Sequence, residues 1–117
     1  MPNEAPTFNR PHGPPDLRVR LTMLSTSEGG RDKPLWQGCR MPHDFGLPEE
    51  LNDGLYEFVP RPPAPGESAV GNLWLLAPER NAGRLSPGFE FRAWAEGKFF
   101  ANCVVLEVVN EALRAPS

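Results

Sequence analysis

The stretch Ser25–Phe45, STSEGGRDKPLWQGCRMPHDF, decides how the rest of the chain is read. Glu28-Gly29-Gly30-Arg31 is a turn signal, because adjacent glycines reach backbone angles closed to other residues. Glu28 and Arg31 flank the glycine pair and predict an ion-to-ion brace across that turn. Pro34 then leads an apolar run, and Leu35-Trp36-Gln37-Gly38-Cys39-Arg40 reads as a strand. A strand pattern enters the stretch as well. In Asp16–Leu24, Leu17, Val19, Leu21 and Met23 alternate with Arg18, Arg20 and Thr22, the period of a strand with one buried face.

Further strands follow downstream. Gly54–Pro60 is a third, and Ala69–Leu76, interrupted by Gly71, is a fourth. Gly88–Ala95 is a fifth, with Phe89, Phe91 and Ala93 turned inward. Glu96-Gly97 is a hairpin signal that leads into a long sixth strand, Phe99–Val109. No segment sustains helical spacing, and no internal repeat is present. Six short-linked strands within residues 16–110 predict an all-β fold, a six-stranded antiparallel β-barrel whose closure removes exposed edges. Were closure incomplete, Phe99–Val109 would offer an edge to another chain.

Composition sets the outer limits. Five of the 15 prolines fall in residues 1–15, which therefore read as a Pro-rich disordered tail, or as a segment lying along the barrel through Phe8. Residues 111–117 read as a C-terminal tail. The opening MPNEAPTFNRPHGPP lacks the apolar core of an export leader, and no apolar run is long enough to cross a membrane. A cytoplasmic location is expected, with Cys39 and Cys103 as reduced thiols. The net charge of −3 disfavours long-range attraction to phosphate backbones, although a local basic face remains open.

Catalytic and cofactor signals are absent. There is no GxxxxGK[ST] and no GxGxxG, so no loop is built to cradle phosphates. His12, His43, Cys39 and Cys103 have no metal-ligand spacing. Glu49-Glu50 sits in a polar loop with nothing to raise a carboxyl pKa. The one cluster with nucleophile chemistry is Cys39 with His43, which leaves a small-ligand or enzymatic site there as a third reading. No catalytic residue, metal or cofactor is assigned.

Cations do mix with aromatics. Arg92 and Trp94 share the outer face of the fifth strand, and Lys98 precedes Phe99-Phe100. With Arg31, Trp36 and Arg40 these residues are the candidate binding set. Such groups anchor protein hot spots or stack nucleic-acid bases.

The motif SxxEGGRxxPxxxGxR, carried by Ser25, Glu28, Gly29, Gly30, Arg31, Pro34, Gly38 and Arg40 and followed by Phe45, resembles the third domain of elongation factor Tu. That domain is the C-terminal six-stranded barrel of a translation GTPase. Leu24 also fits the pattern, Pro65-Gly66-Glu67 resembles the family's Pro-Gly-Asp turn, and Gly88–Val109 is similar to its closing hairpin without a gap. The resemblance spans roughly residues 16–110. It implies the barrel fold and a link to translation, where the family's barrel meets tRNA and protein partners. It does not carry GTP hydrolysis, because the GTPase domain has no counterpart in the sequence. Asp32, Leu35, Gln37, Cys39, His43 and Asp44 replace most of the family's aromatic and basic residues after the turn. The first expectation is therefore a non-enzymatic, stand-alone docking module for a protein partner, and the second a tRNA- or RNA-binding barrel.

Overall fold

A computed structural model describes residues 8–117. The chain forms a closed barrel of six antiparallel strands: β1 (Leu17–Met23), β2 (Arg40–Asp44), β3 (Asn52–Val59), β4 (Ser68–Leu75), β5 (Glu90–Ala95) and β6 (Lys98–Val108). Around the barrel the order is β1-β4-β3-β2-β5-β6, with β6 returning to pair with β1. β6 is thus hydrogen-bonded on both sides, and the open edge considered for Phe99–Val109 does not exist. No described helix is long and apolar enough to cross a membrane.

The alternation read from β1 is the alternation observed: Leu17, Val19, Leu21 and Met23 are buried, and Arg18 and Arg20 are exposed. Gly71, an apparent break in β4, is a packing device. It lies opposite Phe58, and a Cβ there would stand 3.0 Å from the Tyr56 ring and 3.2 Å from the Phe58 ring. Its missing side chain leaves room for those two rings, stacked at 4.9 Å, to fill the barrel.

The second strand differs from expectation. Leu35–Cys39 is a turn, closed by Cys39 N–H donating to the Trp36 carbonyl, and the ladder begins only at Arg40. Leu35 and Cys39 both point inward, so the segment is apolar without being extended. Gln37 clips this turn to β3 by accepting from the Phe58 N–H at 2.6 Å and donating to the Phe58 carbonyl at 2.8 Å. The true strand turns Met41 and His43 inward, and Phe45, just past its end, is buried on the same side.

The barrel also extends past its expected end. Residues 111–113 form a single 3-10 turn capped by Asn110, and Leu113 packs fully buried with Leu85. The Leu85 N–H donates to the Leu113 carbonyl and the Leu85 carbonyl accepts from the Ala115 N–H, so the C-terminal segment is tied to the Leu85 connection as part of the core. Leu113→Ala is expected to destabilise the fold by about 2–5 kcal/mol, as for a buried leucine. Urea titration checks this, and a loss within error of zero would mean a dispensable tail. At the N-terminus, residues 1–7 of the Pro-rich tail lie outside the described residues. Phe8–Pro15 takes the alternative in which the segment runs along the barrel: Phe8 covers Gly38, Arg10 pairs with Glu57 at 3.2 Å, and the Gly13 carbonyl accepts from the Trp74 indole at 3.4 Å.

Candidate binding cleft at the barrel seam

The site begins with a short strand. β2 pairs with β3 over Arg40–His43, but with β5 only at His43–Ala93 and Asp44–Arg92. Beyond that point a bulge between Ala93 and Trp94 turns β5 toward β6. The seam between Arg40-Met41-Pro42 and Trp94-Ala95 is therefore open, as a cleft of about 240 Å³ floored by Leu35, Cys39 and Phe100. Arg31 and Trp36 complete its walls.

The Glu28–Arg31 turn sets the position of Arg31. Ser25 caps the 3-10 turn Thr26–Glu28, and the Glu28 carboxylate accepts from the Ser25 N–H at 2.8 Å and its hydroxyl at 2.9 Å. Those bonds hold the Glu28 carboxyl below the usual range. The carboxylate is committed to Ser25, and the predicted brace to Arg31 is not formed. Gly29 takes the left-handed conformation at φ 92°, and Gly30 folds back so that its N–H reaches the Ser25 carbonyl. Glu28, Gly29 and Gly30 shape the turn, and Arg31 is left to face the cleft.

The electrostatics of the cleft follow. The Arg31 guanidinium carbon lies 5.9 Å from the Trp36 ring and 5.7 Å from the Phe100 ring, cation–π distances to both. Among the described residues no carboxylate lies within salt-bridge distance of it. Its Nε is buried and has no acceptor, and the same holds for Nε1 of Trp94. Two unpaired donors in one cleft matter because a buried donor without a partner costs about 1–3 kcal/mol. Trp36 is the outermost wall, 55% exposed.

Five of the six candidate residues come together here. Arg31, Trp36, Arg40 and Trp94 line the cleft, and Lys98 lines an adjoining hollow of about 280 Å³ that shares Arg31 and Phe100. Arg92 stands apart. Its guanidinium rests 4.4 Å from the Phe99 ring, and it lines a separate groove with Arg20 and Arg84 on another part of the barrel. Sequence reasoning missed Phe100 and Met41 as parts of the site. The seam that brings these buried side chains to the base of the cleft depends on where β2 starts, and Pro42 and His43 masked that strand.

Cys39 and His43 do not form the pair considered for a nucleophile. Both His43 ring nitrogens are engaged elsewhere, Nδ1 with the Asn52 carbonyl at 3.1 Å and Nε2 with the Tyr56 hydroxyl at 2.9 Å. A carbonyl only accepts, so Nδ1 carries the proton, Nε2 accepts from Tyr56, and the Cys103 thiol, 3.8 Å from the Tyr56 oxygen, donates to it. Burial pushes the Cys39 thiol up to about 11 and Cys103 up to about 12, away from thiolate chemistry. Among the described residues, no group of three or more His, Cys, Asp or Glu side chains is placed to hold a metal ion.

No family model matches this chain, and no curated protein matches it.

Proposed function

We propose that this barrel is a non-enzymatic docking module and that the seam cleft is its binding face, with a protein as partner. The carrying observation is the Arg31 guanidinium set against Trp36 and Phe100 without a carboxylate, beside the unpaired indole N–H of Trp94. An arginine and two tryptophans around a partly desolvated hollow are the composition of an interface hot spot. The resemblance of Glu28–Arg31 and Gly88–Val109 to the elongation factor Tu barrel supports a cytoplasmic, translation-linked setting.

A second reading, tRNA or other RNA as the ligand, is favoured by the convergence of Arg31, Arg40 and Lys98 around two tryptophans. Nuclease treatment separates the two. Affinity capture from extract is expected to retain a protein partner after nuclease, and the double substitution Arg31→Ala with Trp36→Ala is expected to lose it at unchanged thermal stability. Recovery of RNA alone, falling steeply with salt, would replace the docking reading with the second.

A further inference from the structure

The seam cleft does not end at its own walls. Arg31 joins it to the hollow that carries Lys98, and Arg40 joins it to a third hollow of about 250 Å³ lined by Leu55, Trp74 and Leu76. The three form one track across the barrel surface. Its charge varies along its length. The centre holds Arg31 and Arg40 and no acid. The Lys98 hollow also carries Asp32 and Glu96, and the third hollow carries Asp53 among apolar side chains.

We propose that this track takes an extended peptide segment of the partner, with one carboxylate side chain seated between Arg31, Arg40 and Trp94 and an apolar side chain in the hollow at Leu76. This deepens the docking reading and rests on it. Arg31 and Arg40 line the centre of the track with no acid among its walls, and a carboxylate meets a guanidinium with two oxygens at once. Trp36 holds the Arg31 guanidinium from the solvent side, which favours a planar, two-pronged anion over a diffuse one. Leu76, 69% exposed, is the most solvent-accessible large apolar residue of the described chain, and it lies at the end of the track where an apolar side chain is expected. A polynucleotide carries a charge at every residue and meets Asp32 and Glu96 on one flank and Asp53 on the other. A peptide with a single acid avoids both repulsions.

The test uses the full chain and three fluorescent probes: a nonapeptide pool with Glu fixed at its centre and uncharged residues elsewhere, the same pool with Gln at its centre, and single-stranded oligouridylate of equal length. The Glu pool is expected to bind roughly tenfold or more tighter than the Gln pool, an advantage that Arg31→Gln abolishes. Arg40→Gln removes a cation at an exposed position of the cleft, and is expected to weaken Glu-pool binding about fivefold without lowering the urea midpoint of the free protein. Equal binding of the Glu and Gln pools, both lost in Trp36→Ala, would overturn the carboxylate inference and leave the docking reading in place. Preference for oligouridylate would overturn both, and so would failure of all three probes to bind.

Discussion

Acidification from neutrality to about pH 4 is expected to remove about 3 kcal/mol of folding stability through His43 alone. Burial lowers the His43 pKa from 6.5 to about 4, and the hydrogen bond to the Asn52 carbonyl only partly opposes that. The unfolded chain takes up its proton near 6.5 and the folded chain only near 4. Stability is therefore complete above 6.5 and falls as the pH drops through that window, because the unfolded state binds more protons there. Its neighbours Tyr56 and Cys103 are pushed upward and stay neutral throughout. The Glu28 and Glu111 carboxyls, both lowered from 4.5, begin to add their own losses as the pH falls through that value. Urea midpoints measured across the range check this. His43→Gln keeps an acceptor for Tyr56 and should flatten the profile even if its stability at neutrality is lower. Parallel wild-type and variant profiles would remove His43 as the cause.

The second large effect sits in the turn. A Cβ on Gly30 would stand 2.5 Å from the Leu24 carbonyl oxygen and 2.9 Å from both the Leu24 carbon and the Ser25 oxygen. All three are backbone atoms, so no rotamer change relieves the clash and the turn must move. Gly30→Ala is expected to destabilise the fold by about 3 kcal/mol. It should also displace Arg31 and abolish binding at the cleft. Gly29→Ala is the control. A Cβ there meets nothing within 4 Å, and the left-handed φ of 92° alone accounts for a loss of about 1 kcal/mol. Equal effects of the two substitutions on the urea midpoint would show that crowding at Leu24 is not what the glycine relieves.

The parts of this fold that were legible in the sequence are those where polarity and direction coincide. Leu17, Val19, Leu21 and Met23 alternate with polar neighbours because β1 has one wet face. Phe91 and Ala93 do the same in β5. β2 was hidden because its inward residues are Met41 and His43, and a histidine reads as polar until Asn52 and Tyr56 are seen to satisfy it. Leu35-Trp36 imitated a strand because a turn that packs on a core is as apolar as a strand. Leu85 and Leu113 each stand nearly alone among polar residues, and only the backbone pairing that brings their segments together identifies them as core. For the candidate cleft, residue types pointed to Arg31, Trp36, Arg40, Trp94 and Lys98, which line the two adjoining hollows. Their convergence depended on the register of β2 and β5, which no local pattern carries. Arg92 carries the same chemistry and lies elsewhere for that reason.

The two residue pairs that join β2 to β5 are the thinnest stitching in the barrel, against six where β5 meets β6. In thermal fluctuations a closed sheet parts first where the fewest hydrogen bonds must break together. The cleft lies beside that line. A segment bound along it would act as a splint, bridging the two margins of the weakest joint. Occupancy and closure would then become one equilibrium: a bound segment would be held by a closed barrel, and the barrel would be kept closed by the segment.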